Sequence, residues 1–105
     1  MQETDVLKWD MYEITAKTEI HGVMLRGRIR RLGLERGFNV LCENATDAEN
    51  CVRFAVFNDD DAGKVSDYLR TIIPDVSVRA VLSGVANPVL SKLKVNKEER
   101  YSLQV

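Results

Sequence analysis

Asp59-Asp60-Asp61-Ala62-Gly63-Lys64-Val65-Ser66-Asp67-Tyr68-Leu69-Arg70-Thr71-Ile72-Ile73-Pro74 is the stretch on which the fold turns, because its period is plain. Val65, Tyr68, Leu69 and Ile72 recur at the three- and four-residue spacing that gathers side chains on one helix face. Three aspartates crowd the start, where carboxylates can cap unpartnered amides and oppose the positive end of the helix dipole. Pro74 lacks the N–H that a further turn would need, so the helix stops there. Upstream, residues 51–57 read as a strand, as does the short, mostly apolar run 38–43. The polar turn residues 44–50 between them predict a hairpin. Downstream, residues 76–82 alternate well enough for another strand.

Nearer the start, residues 11–17 alternate. Tyr12, Ile14 and Ala16 are expected to face inward, and Glu13, Thr15 and Lys17 to face water. Residues 1–10 read as an arm whose Trp9 covers an edge of the core, and residues 11–105 as one domain. A helix is predicted over 23–35. Leu25, Ile29 and Leu32 form its apolar stripe, Arg26, Arg28, Arg30 and Arg31 its other face, and Gly37 its left-handed cap. Residues 83–100 contain Gly84 and Pro88 and read as a loop or an irregular hairpin, and 101–105 as a short final strand. The order strand, helix, strand, strand, helix, strand predicts an α+β domain. Its expected form is a ferredoxin-like βαββαβ sandwich with a mainly antiparallel sheet, two helices on one face and the short C-terminal strand. That architecture hosts many unrelated activities, so function must be read from a site.

The bulk numbers narrow the classes. A chain of 105 residues fits one domain with a modest core, and 45% hydrophobic with 30% charged residues is a globular balance. A net charge of −1 exerts no general pull toward nucleic acid or membrane. The polar, acidic start is unlike a signal peptide, and no apolar run approaches a membrane span. Cys42 and Cys51 are too few for a disulfide framework or a metal set, so both are expected as reduced thiols in a cytoplasmic protein.

The chemistry concentrates in Thr18-Glu19-Ile20-His21-Gly22-Val23-Met24-Leu25-Arg26. A strand that turns through a glycine into a helix presents unpaired amides and a positive dipole end, a favourable place for an anion. Arg26 adds a planar fork of donors matched to phosphate oxygens. On these residues the chain resembles the acylphosphatase family, whose loop has the form Gly-x-Val-Gln-Gly-Val-x-Phe-Arg. Gly22, Val23 and Arg26 match it, and Ile20 and Leu25 are conservative replacements. The family's second catalytic residue is an asparagine ending the second strand, and Asn44 stands at its spacing, 18 positions after Arg26. The chain departs from the pattern at Thr18, where the family has glycine, and at His21, where it has glutamine.

The resemblance implies hydrolysis of small acyl phosphates without metal or other cofactor. The phosphate would rest on the amides of Glu19, Ile20, His21, Gly22 and Val23 and on Arg26, with Asn44 orienting the attacking water. It implies a monomer whose partner is a small acyl phosphate or inorganic phosphate, with no role for nucleic acid or membrane. Two alternatives stay open. One is an inactive relative that binds an anion or a protein. The other is an RNA binder using Arg26, Arg28, Arg30, Arg31 and Arg36, although the strands lack an aromatic pair for stacking bases.

Overall fold

The computed structural model describes residues 7–20 and 24–95. Eight elements follow in order: β1 Trp9–Thr15, α1 Leu25–Arg36, β2 Leu41–Asn44, β3 Cys51–Val56, α2 Asp59–Ile72, β4 Ser77–Val85, β5 Pro88–Val89 and β6 Lys94–Val95. β1 to β4 form one antiparallel sheet in the order β2-β3-β1-β4, with Tyr12 opposite Phe54, Thr15 opposite both Cys51 and Ser77, and Asn44 opposite Val52. The end of β1, the 44–50 connection and the turn before β4 therefore lie at one end of the sheet.

One sheet face carries the main core. Ile14, Cys42, Val52, Phe54 and Val56 meet Leu25, Ile29 and Leu32 of α1 and Ala62, Val65 and Leu69 of α2. Tyr12 stacks on Phe54 at 5.1 Å, with Asp59 accepting its hydroxyl hydrogen bond. Burial first, and Asp59 second, push the Tyr12 pKa up to about 12. The α2 stripe stands where its period placed it, with Val65 and Leu69 buried and Tyr68 and Ile72 packed at the margin. Its cap is Asn58, whose side chain accepts from the Asp61 amide, so the three aspartates serve the dipole rather than the cap. In α1, Gly33 lies against the chain returning to β2. A Cβ there would come within 2.7 Å of Val40 and 2.9 Å of the Phe38 carbonyl oxygen. Gly37 ends the helix at φ 76°, the left-handed cap expected of it.

The other sheet face is covered too, and here the alternation misleads. Trp9 is the first residue of β1 rather than part of an arm. It packs with Met11, Ala55 and Leu90 in a second buried cluster. Segment 86–91 crosses this face and donates no helix to it. The Leu90 carbonyl accepts from Arg53, and the Ser91 carbonyl accepts from the amide and hydroxyl of Thr46. Glu13, expected in water, is consequently buried against Arg53. All six residues of β3 are buried, which is what a continuous run such as Cys51-Val52-Arg53-Phe54-Ala55-Val56 permits when a strand is covered on both faces.

Several boundaries move. α1 starts at Leu25 instead of 23, and β2 is confined to Leu41–Asn44 instead of 38–43. β4 runs on to Val85 past a bulge opposite Met11 and Tyr12. Of the two readings of 83–100, the irregular hairpin holds for the described part, since Pro88 and Val89 pair with Val95 and Lys94. The final strand expected over 101–105 lies outside the described residues.

Candidate functional site

The approach to the loop is held by two side chains from distant parts of the chain. Asn50 accepts from the Ile20 amide at 2.8 Å and donates to the carbonyls of Ala16 and Thr18, each at 2.8 Å. Asp75, in the turn after Pro74, accepts from the amides of Lys17 and Thr18 at 2.7 and 3.2 Å and from the Thr18 hydroxyl at 3.2 Å. The Lys17 amide first, and Thr18 with it, hold the Asp75 carboxyl below its usual range. Thr18 is not among the positive-φ residues, so threonine in place of glycine carries no left-handed strain there. Its hydroxyl instead completes the Asp75 clamp.

Ile20 serves the loop as an anchor. Its side chain is fully buried in the main core and its amide is already donated to Asn50. Glu19 is exposed, and His21, Gly22 and Val23 lie outside the described residues. Met24 follows with φ 56° and is three-quarters exposed. Among the described residues no side chain caps α1, and its first turn holds no acidic residue, the opposite of α2.

Arg26 and Asn44 are related only through Cys42 of β2. The positive charges of Arg30 and Arg26 both act on the Cys42 thiol, which burial nonetheless pushes up to about 12. Arg30 also donates to the Cys42 carbonyl at 2.8 Å, tying α1 to the edge strand β2. Asn44 is two residues further along that strand, hence on the same face as Cys42, and is exposed. The α1 arginines therefore divide. Arg26 and Arg30 lie over β2, whereas Arg28 and Arg31, on the opposite flank, line a groove toward α2.

The second face holds a charge cluster that the chain's alternation hid. Arg53 pairs with Glu13 and Asp47, both at 2.8 Å, and Arg79 pairs with Glu13. Burial would raise the Glu13 pKa, but hydrogen bonds from Arg79 and Arg53 outweigh it and hold the carboxyl below its ordinary range. Arg53 is enclosed and its donors are taken by Glu13, Asp47 and the Leu90 carbonyl, so the cluster reads as structural. Cys42 and Cys51 form no disulfide; Cys42 faces the helices, and Cys51 precedes Val52 and so faces the other way. Among the described residues no set of His, Cys, Asp and Glu is grouped as metal ligands, and no helix is long and apolar enough to cross a membrane.

Asn50 and Asp75 were not singled out by residue type and spacing. Asparagine closing a turn and aspartate after proline are both residues that hydrogen-bond backbone amides. Their targets lie 30 to 58 positions away, which no local pattern announces. Compared with family models, with curated proteins and with solved structures, the chain matches none.

Proposed function

We propose that this chain is an acylphosphatase-like domain of ferredoxin-like fold that hydrolyses the carboxyl–phosphate bond of small acyl phosphates. The observation that carries the reading is that the Arg26 charge reaches Cys42, two residues before Asn44 on the same face of β2, at the end of the sheet that Asn50 and Asp75 tie to residues 16–20. The strand order β2-β3-β1-β4 supports the fold assignment, and the acid-free first turn of α1 supports an anion there. In this reading Arg26 neutralises phosphate charge and Asn44 holds a water in line with phosphorus. The water oxygen bonds to phosphorus, the bond from phosphorus to the acyl oxygen breaks, and the carboxylate departs. The proton of the water passes to a phosphate oxygen. Positioning and charge neutralisation supply most of what such a phosphoryl transfer needs, so the scheme calls on no metal or cofactor. Because the Ile20 amide is held by Asn50, the cradle falls chiefly to residues 21–23. The partner is an acyl phosphate or inorganic phosphate, met by a monomer in the cytoplasm, with nucleic acid disfavoured.

Benzoyl phosphate in metal-free buffer is the test. Hydrolysis is expected, and Arg26→Ala and Asn44→Ala should each lower it by about 10²-fold or more. Background turnover by the parent protein refutes the enzyme. A second reading is favoured by the engagement of the Ile20 amide, which leaves four of the five amides of the expected cradle: an inactive, anion-binding relative. It predicts that inorganic phosphate shifts the amide resonances of His21, Gly22 and Val23 although benzoyl phosphate is untouched. Unmoved amides would remove both readings.

A further inference from the structure

Two contacts join α1 to the chain of β2, and they climb in step. Toward the end of the helix Gly33 lies against Val40, whose methyl would stand 2.7 Å from a Cβ at that position. About one turn nearer the helix start, an Nη of Arg30 donates to the Cys42 carbonyl at 2.8 Å. Between these contacts the helix goes back from residue 33 to 30 while the strand goes forward from 40 to 42. The directions agree with the topology. β1 and β2 are both antiparallel to β3, so α1, which joins them, runs back along β2.

The periods of the two elements fix the next step. One more helical turn reaches Arg26, on the flank of Arg30, and two more strand residues reach Asn44, on the face of Val40 and Cys42. From Gly33 to Arg26 the helix rises by about 10 Å, and from Val40 to Asn44 the strand rises by about 13 Å. The two therefore keep together to within one residue. Charge follows the same order. Burial dominates the Cys42 thiol, and of the arginines beside it Arg30 acts more strongly than Arg26. The tie itself is of a kind that sets position. Apolar contact at Gly33 allows sliding, whereas a hydrogen bond to a backbone carbonyl is directional. β2 is an edge strand of four residues, paired with β3 alone among the described residues, so Arg30 holds it from the helix side. Arg30 is exposed and stands outside the stripe of Leu25, Ile29 and Leu32, so the core does not account for it.

We propose that Arg30 is a positioning residue: through the Cys42 carbonyl it sets the register of α1 on β2 and so brings Arg26 opposite Asn44. The inference rests on the reading of Arg26 and Asn44 as the groups that hold phosphate and water. Arg30 touches neither. Without its tie, phosphate still meets Arg26 and the loop, and what is lost is the line from the water on Asn44 to phosphorus. Loss of alignment lowers the rate of the chemical step and leaves ground-state binding in place.

The test compares two variants of the full chain. Arg30→Met keeps an unbranched stem and removes the donor, and Arg30→Lys can still donate to one carbonyl. With benzoyl phosphate, and turnover scaled to folded protein, Arg30→Met should lower kcat about 10-fold or more with KM within about twofold. Arg30→Lys should recover most of that loss. In the Asn44→Ala background Arg30→Met should cost nothing further, because the alignment it protects is already gone. An unchanged kcat, a risen KM in place of a fallen kcat, or an additive loss overturns the inference and leaves the hydrolase standing. The second arm needs no turnover. Inorganic phosphate titrated into isotope-labelled protein should shift the Arg26 Nε–H and the Asn44 side-chain amide along one binding curve. In Arg30→Met the Asn44 shift should fall by about half or more while the Arg26 shift remains. That pattern in a protein that leaves benzoyl phosphate untouched upholds the role of Arg30 and removes the hydrolase. Phosphate that moves Arg26 alone in the parent protein, or neither residue, overturns the inference.

Discussion

Asn50 adopts a left-handed backbone, φ 49°, and commits both polar atoms of its side chain to residues 16–20. Asparagine tolerates that conformation better than most residues, and its amide can donate and accept at once. Asn50→Ala is expected to destabilise the domain by about 2–3 kcal/mol in urea unfolding, with hydrogen bonds at about 1 kcal/mol each and some backbone strain. Asn50→Gly should recover about 1 kcal/mol of that, the backbone share alone. An unchanged urea midpoint for Asn50→Ala would show that the clamp does not matter. Glu13 yields a prediction of a different kind. Its folded pKa is below the ordinary 4.5, so its contribution to stability is present above that pH and lost as pH falls through the folded value. Glu13→Gln should therefore flatten the acid limb of stability against pH; an unaltered limb would contradict the pairing. Glu13→Ala, which leaves buried Arg53 with Asp47 as its one carboxylate partner, is expected to cost about 3 kcal/mol at neutral pH by the same unfolding measurement. At this scale the residue types were legible and their partners were not. Thr18, Asn50 and Asp75 are ordinary turn residues until the chain folds them together.

Two glycines of one helix separate propensity from packing. Gly27→Ala removes backbone freedom from the unfolded chain and meets no atom in the folded one, so it should stabilise by about 0.5–1 kcal/mol. Gly33→Ala gains the same propensity but must displace Val40 and the backbone at Phe38, and should destabilise by about 1–3 kcal/mol. Thermal unfolding of the two variants should move in opposite directions; a shared sign would refute the close approach of α1 to the chain before β2. Helices were the elements best read from sequence, because α2 and α1 each bury one stripe at a period that polar faces make visible. The strands were read less well. Phe38 and Val40 contribute to the core from outside β2, so apolarity alone extended that strand too far. β1 began late in the sequence reading because Trp9 faces the second cluster, whose other members come from Ala55 and Leu90.

For the whole molecule the consequence of two covered sheet faces is that both thiols are enclosed, on opposite sides of the same sheet. Burial raises the Cys51 pKa as it does that of Cys42. A disulfide reagent at neutral pH should therefore label neither at a rate faster than global unfolding, and both together in denaturant; rapid labelling of either in the native protein would contradict this. The order of elements, the antiparallel hairpin and the helix stripes were already determined by the sequence, since period, turn chemistry and helix stops are local properties. The candidacy of Arg26 and Asn44 also came from the sequence, through its resemblance to the acylphosphatase loop and the family's spacing. Only the tertiary structure decided that segment 86–91 closes the second face and buries Glu13 with Arg53, that Asn50 and Asp75 hold the loop, and that the α1 arginines part into two flanks. Each of these depends on what lies across the sheet or beyond a turn from a residue. Alternation records that a side chain points away from one core, and is silent on whether water or a second core receives it.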